Sequence, residues 1–375
     1  MSTPRPRILI VGGYGAFGSR AAERLAREAD LDIIVAGRSL VRAQAAVAAL
    51  APTSKATLSA AAIDAMAPDL VSLGRLAPTI VINASGPFQT QDYRLARAAI
   101  NVGAHYIDLA DASDFVLGFT REKDLDTAAR TRGVLATSGA STVPAISSAV
   151  IDKFIRQFSG LEEIHYGISP GNSFDPGPAT TASILGAIGR PFQTKTSERW
   201  QTVHGWQGLT RHHFPDFGNR WMGHCNVPDL ELFAERYPSL KTINFKAGVE
   251  VSLFHLGIWA LSWPSRWGLL QRPERLTSPL LKAKRWFGFL GTDVGGMFVT
   301  LHGIDRSGAP KSIHWHLNAR QGHGPYIPTT PAVVLAKKLA RNAVNQTGAC
   351  ACIGLVTLNE IEQELADLDI RMTVS

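Results

Sequence analysis

Apolar and polar positions along the first ~150 residues alternate between two periods. Ile8–Val11 is an unbroken apolar run, as in a strand buried on both faces of a parallel sheet. A glycine-rich turn follows. Ala16 to Arg27 then carries strong helix formers, with Phe17, Ala21, Leu25 and Ala26 near helical spacing. The cycle repeats. Leu31 to Ala36 predicts a second strand, Leu40 to Leu50 a helix, and Leu58 to Ile63 a third strand leading to Asp64, a candidate cofactor-binding residue. Thr79 to Asn83 is another buried run, and Ala96 to Val102 a helix stopped by Gly103. Tyr106 to Leu109 and Val134 to Thr137 predict further short strands. Strands alternating with helices in this way predict an α/β fold with a doubly wound parallel sheet.

Near Val143 the texture changes. Ser159 to Arg220 is rich in Gly, Pro, Thr and aromatic residues and resists assignment. Leu161 to Ser169, Met297 to Ile304 and the alternating Ile313 to Asn318 read as strands. The last two are joined by the turn residues Arg306, Ser307 and Gly308. A second, α+β domain with an antiparallel sheet is expected. Two helices, about Pro331 to Asn342 and Leu358 to Leu368, close the chain. The expected boundaries are 1–145 for a nucleotide domain, 146–328 for a substrate domain, and 329–375 for C-terminal helices packing back on the first.

The chain has 375 residues, enough for two domains with cores of their own. It is 45% hydrophobic and 18% charged, as soluble globular proteins are. Its net charge of +7 comes without a long Lys/Arg run or a nucleic-acid motif, so nucleic acid is not an expected partner. Cys225, Cys350 and Cys352 are too few for a disulfide scaffold and fit a reducing compartment, the cytoplasm. No apolar signal segment precedes the first strand. The most apolar stretch, Phe254 to Leu270, is interrupted by Pro264, Ser265 and Arg266 and is not a membrane span. With Arg272, Arg275, Lys282, Lys284 and Arg285 after it, 254–285 reads either as a core segment with a basic flank or as one lying on a membrane surface.

The chemistry begins at the first turn. Gly13, Gly15 and Gly18 have G-x-G-x-x-G spacing between a strand and a helix, the context in which the motif has physical meaning. Glycine permits the tight bend and lets a pyrophosphate approach the backbone of Tyr14, Ala16 and Phe17. The helix then offers its N–H groups and the positive end of its dipole. A dinucleotide is expected. Its ribose should meet the end of the second strand, where NAD-binding folds place a carboxylate. Here Arg38 and Ser39 stand instead, and an arginine suits a 2′-phosphate, so NADP(H) is expected over NAD(H).

At the end of the fourth strand, Ala84, Ser85 and Gly86 are small enough for ribose and nicotinamide to lie against the backbone. Pro87 fixes the turn into Phe88. Gly139 and Ala140 follow the last parallel strand in the same way. Tyr106, Asp108 and Asp111 end a short strand, and Tyr106 or Asp108 is a candidate for proton relay. Each is equally a hydrogen-bonded structural residue. Tyr237 and Lys241 have Tyr-x-x-x-Lys spacing, but lie outside the nucleotide domain, with Pro238 against a helix. His314 and His316 share a strand face and, with His302 or Cys225, are candidate zinc ligands, but no tight cluster supports a metal. Cys350 and Cys352 read as buried apolar residues.

These motifs resemble the saccharopine dehydrogenase-like family of NAD(P)-binding oxidoreductases. The matching stretches are VGGYGAFGSR (Val11–Arg20), AGRS (Ala36–Ser39), NASGPF (Asn83–Phe88), HYIDLAD (His105–Asp111) and GASTVPAISS (Gly139–Ser148). GPYIPTTPAVVLAKKLA (Gly324–Ala340) and ACIGLVTLNEI (Ala351–Ile361) continue the resemblance toward the C-terminus. It implies a Rossmann domain, an α+β domain, a site between them and a nicotinamide hydride carrier. Amino-acid-forming members tend to carry Asp-Pro-Gly where this chain has Val143, Pro144 and Ala145, so an amino-acid substrate is not implied. The leading reading is an NADP(H)-dependent oxidoreductase acting on a small molecule bearing a carbonyl, imine or activated alkene. A nucleotide-binding or lipid-surface accessory protein without turnover is the alternative, and a homodimer is left open.

Overall fold

The computed structural model describes residues 5–173, 177–278, 280–281 and 290–375. Lys282, Lys284 and Arg285 lie outside the described residues. The chain divides into two compact units. The first comprises the residues through Ser148 together with Pro325–Glu364, the second Ala149–Gly324 and Leu365–Ser375.

In the first unit the apolar runs form β1 (Arg7–Val11), β2 (Asp32–Gly37), β3 (Thr57–Ala62), β4 (Ile80–Asn83), β5 (His105–Asp108) and β6 (Leu135–Ser138). They pair in parallel in the order β3-β2-β1-β4-β5-β6. A strand from much later in the chain, Gly348–Ala351, adds itself beside β6. This is the doubly wound arrangement, whose strand order reverses between β1 and β4. Ile8, Leu9, Ile10, Ile33, Ile80, Val81 and Ile82 are fully buried or nearly so, which is why these strands read as unbroken apolar runs. Helices Gly18–Leu25, Leu40–Leu50, Leu70–Leu76 and Arg94–Asn101 connect them.

The C-terminal helix Thr330–Ala340 packs back onto this unit, against Gly18–Leu25 and strands β4 and β5. A buried ion-pair network fastens the same region. Arg24, 7% exposed, bonds Glu364 on helix Leu358–Leu365 through its carboxylate and its carbonyl, and Lys337 reaches the same carboxylate at 2.8 Å.

The second unit carries β7 (Phe158–Ser169), β8 (Pro191–Thr196), β9 (Arg199–His204), β10 (Thr210–Phe214), β11 (Gly218–His224), β12 (Thr242–Gly248), β13 (Gly295–Asp305) and β14 (Pro310–Ala319). With Gly348–Ala351 as β15, the last strand is β16 (Ile370–Val374). The sheet runs β10-β11-β12-β7-β13-β14-β16, with β8 beside β12 and β9 beside β8. Only the β12–β7 pair on that path is parallel. The sheet is therefore mixed rather than purely antiparallel. Its strands alternate: Ile164, Tyr166, Val299, Leu301, Ile313, Trp315 and Leu317 are buried on one face.

Two expectations change here. The segment from Ser159 to Arg220 resolves into β7 to β11 and the helix Gly177–Gly186. And the end of the chain does not stay with the nucleotide unit. Leu365–Ser375 belongs to the second unit, where β16 pairs with β14, because its backbone finds an open sheet edge there.

Candidate dinucleotide site

The site grows from the carboxyl ends of the parallel strands. Register sets Ala36, Val11, Asn83 and Asp108 side by side across β2, β1, β4 and β5. Ligands of such sheets bind beyond these ends, near the reversal of strand order.

Beyond Val11 the chain turns on Gly12, whose φ of +82° is the left-handed conformation that favours glycine. A Cβ there would stand 2.7 Å from the backbone of Ala84. The N–H groups of Gly12 and Gly13 both donate to the Ala36 carbonyl, at 2.8 and 2.9 Å, and so clip the turn to the end of β2. Gly18 opens the helix, and a Cβ on it would lie 2.2 Å from the Gly12 carbonyl oxygen. Phe17, at the N-cap, makes no side-chain capping bond, and the first turn holds no acidic residue. The neighbouring helices are capped differently: Asp69 accepts from Val71 and Ser72, and Ser39 accepts from Arg42. A close-packed glycine turn and a helix start without a side-chain cap fit a pyrophosphate.

The end of β2 is tied to the same turn. The Tyr14 ring lies against Gly37, where a Cβ would be 2.6 Å from it, and its hydroxyl accepts from the Ser39 N–H at 3.1 Å. The Arg42 guanidinium stands over the Tyr14 ring at 4.6 Å. Arg38 and Arg42 are both exposed. Sequence reasoning found Arg38 and Ser39 and missed Arg42. The signal was available, since a side chain three positions after an N-cap lies in the same helical turn. Asp64, just past β3, is exposed and holds its own turn by accepting from the Met66 N–H at 3.0 Å.

The loop after β4 is organised by Asn83, which is 1% exposed. Its amide donates to Gln91 and to the Tyr106 hydroxyl, both at 3.1 Å. Its oxygen accepts from the Ser85 N–H at 3.1 Å and the Ser85 hydroxyl at 2.5 Å. Gln91 returns to the Ser85 carbonyl at 2.6 Å. Ala84, Ser85 and Gly86 are thereby fixed. Gly86 has no neighbour closer than 3.8 Å to an added Cβ. Phe88 turns inward, 7% exposed, against Phe115 at 5.3 Å. It anchors the loop rather than facing out of it. Gln91 carried no sequence signal, because its role exists only in the fold.

Tyr106 and Asp108 are placed in the interior, 1% and 0% exposed. The Tyr106 ring stacks on Phe119 at 5.9 Å. One Asp108 oxygen accepts from the Ala110 N–H, the Ser138 hydroxyl and the Gly139 N–H, at 3.0, 2.9 and 2.9 Å. The other is buried without a hydrogen-bond partner. Burial pushes the Asp108 carboxyl up to about 6, against the lowering effect of those donors and the nearby Tyr106 hydroxyl. Asp108 fixes the loops after β5 and β6. The expectation that Tyr106 or Asp108 relays a proton to substrate meets this burial, which leaves neither group a surface to present. Asp111 is exposed. Gly139 has φ +84° and packs against Pro144.

A stability test follows from Asp108. Its folded pKa lies above the ordinary 3.8, so the folded chain holds a proton that the unfolded chain releases between about pH 4 and 6. The group therefore costs stability that grows as pH rises from about 4 and is complete above the folded value of about 6, about 3 kcal/mol at most for a shift of this size. Asp108→Asn keeps an acceptor oxygen and cannot titrate. Urea unfolding at pH 4.5 and 7.5 should show native stability falling with pH relative to the variant. Parallel pH dependence in the two proteins would contradict the assignment.

The Tyr-x-x-x-Lys and histidine candidates lie in the second unit. The Tyr237 hydroxyl donates to Asp152 at 3.2 Å and Lys241 pairs with Glu162 at 2.7 Å, so they form no catalytic pair. His316 meets His212 rather than His302 or Cys225, with ring nitrogens 3.2 Å apart, and His212 stacks on Phe298 at 3.5 Å. Burial and the neighbouring histidines push His212 down to about 4. Among the described residues no group of three or more His, Cys, Asp or Glu side chains could hold a metal ion. Back in the first unit, Cys352 is buried, whereas Cys350 is only half-buried.

With this geometry in place, residues 8–139 match the family model of the saccharopine dehydrogenase NADP binding domain. The chain resembles the saccharopine dehydrogenases. An L-Glu-forming saccharopine dehydrogenase from Saccharomyces cerevisiae superposes with a TM-score of 0.71 at 14% identity, covering 99% of this chain and 100% of that one, and shares its fold. An amine dehydrogenase from Mycobacterium smegmatis aligns over 93% of this chain and 95% of its own, at 11% identity and a TM-score of 0.49. No curated protein matches by sequence. The saccharopine dehydrogenase domain match supports an oxidoreductase that binds NADP and acts on a small molecule.

Proposed function

We propose that the chain is an NADP(H)-dependent oxidoreductase whose small-molecule substrate presents a carbonyl, an imine or an activated alkene. The observation that carries the reading is the end of β2. In place of a carboxylate, Arg38 and Arg42 flank Ser39, with Arg42 held over the Tyr14 ring. Two guanidinium groups favour a phosphate on the ribose and disfavour nothing that NADP carries. The turn Gly12–Gly18 and the N-terminus of helix Gly18–Leu25 would hold the pyrophosphate. Ala84, Ser85, Gly86 and Gly139 would line the nicotinamide end. Bound NADP(H) supplies the hydride chemistry. The residues of this chain bind, orient and shield, and Asn83 and Asp108 keep the loops in register. The test is a calorimetric titration with NADPH and NADH. Tight NADPH and weak NADH binding are expected, and equal binding would refute the preference.

The burial of Tyr106 and Asp108 favours a second reading, nucleotide binding without turnover. Stoichiometric NADPH binding with no consumption across a carbonyl and enoyl panel would establish it over the first.

A further inference from the structure

The helix Ser252–Arg266 leaves part of its apolar surface open to solvent. A surface helix normally buries an apolar stripe and shows polar residues to water. The sequence SLFHLGIWALSWPSR has no charged side chain before Arg266. Its buried residues are His255 and Ser262, each 0% exposed, while Leu253 is 68% and Leu256 37% exposed. The orientation is held from beneath. His255 accepts from the Val249 N–H at 3.3 Å and packs near Trp206, and the Ser265 hydroxyl donates to the Ile188 carbonyl at 2.7 Å. Leu253 and Leu256 therefore face outward, and Phe254, Ile258, Trp259, Leu261 and Trp263 are half-buried beside them.

The outward surface continues past the helix. Trp259, Trp263 and Trp267 stand four residues apart with ring centroids 6.3 and 5.8 Å from one to the next. Trp267 is 65% exposed and Leu269 78%. Arg272 and Arg275 follow, both exposed. Among the described residues no helix is long and apolar enough to cross a membrane.

We propose that this surface docks on an anionic lipid bilayer. Exposed leucines would enter the acyl boundary, indoles sit at headgroup level, and the arginines meet anionic headgroups. The charges decide against a second copy of the chain. A two-fold contact would set the same basic patch on both sides and offer its arginines no added negative charge, whereas anionic headgroups supply it.

The test is flotation of the full chain with phosphatidylcholine vesicles, with and without phosphatidylglycerol, at low and high salt. Binding to the anionic vesicles, weakened by salt, is expected. Arg272→Glu with Arg275→Glu should reduce it at least about fivefold per arginine, and Leu253→Glu with Leu269→Glu should abolish it. All four positions are solvent-exposed, and unchanged circular dichroism and NADPH binding would confirm intact variants. No vesicle binding by the native chain would overturn the proposal. So would a dimer, seen by light scattering, that the leucine variant dissociates.

Discussion

Replacing Arg38 and Arg42 together by alanine should weaken NADPH binding at least about a hundredfold and leave NADH binding within about twofold, because each proposed charge-assisted bond to the 2′-phosphate would contribute roughly 1.5–3 kcal/mol. The asymmetry between the cofactors is the informative part. The two molecules share their pyrophosphate, so a damaged glycine turn would lower both affinities alike. Loss confined to NADPH isolates the end of β2. The single variants should differ in kind. Arg38 is exposed at the strand end, and its removal takes away a charge. Arg42 also stands on the Tyr14 ring, which bonds the Ser39 N–H, so its removal additionally loosens the neighbour that spaces the phosphate site from the turn. Lysine at either position should restore only part of the affinity, since a point charge lacks the planar fork. Unchanged NADPH affinity in the double variant would remove the cofactor preference from this site.

How far the sequence announces this site depends on the range of each interaction. The strand–glycine–helix unit and the AGRS segment are local: the spacing of Gly13, Gly15 and Gly18 and the position of Arg38 follow from a few consecutive residues. The parallel order of β1 to β6 is also legible, since buried strands read as apolar runs. Gly12 lay hidden beside Gly13, although its positive φ and its approach to Ala84 make it as restricted as the motif glycines. The Asn83–Gln91–Ser85 network and the inward turn of Phe88 depend on packing partners far apart in sequence. β15, with the sequence GACA, has neither branched residues nor alternation to mark it, and pairs with β6 from over 200 residues away. The direction of helix Ser252–Arg266 was likewise unreadable. Its apolar residues lie nearly all round, and only the contacts of His255 and Ser265 decide which side is hidden.

Gly18→Ala and Gly74→Ala should move stability in opposite directions, although both place a better helix former in a helix. On propensity alone each would gain about 1 kcal/mol. At Gly74, exposed in helix Leu70–Leu76, an added Cβ meets nothing within 4 Å, and the gain should be realised. At Gly18 the Cβ would stand 2.2 Å from the Gly12 carbonyl oxygen and 2.9 Å from the Gly13 Cα. Those atoms are backbone, and the bonds from Gly12 and Gly13 to Ala36 leave the turn little freedom to retreat. Overpacking costs roughly 1–3 kcal/mol, and the upper end applies where the contacted atoms are fixed backbone, so it outweighs the propensity gain. Because the turn that would have to move is the one proposed to hold pyrophosphate, affinity should fall for NADPH and NADH together, unlike in the arginine variants. Thermal unfolding with and without each cofactor checks both claims. A Gly18→Ala protein of native stability that still binds NADPH normally would mean that the helix need not approach the turn so closely, and the glycine motif would lose its physical reason here.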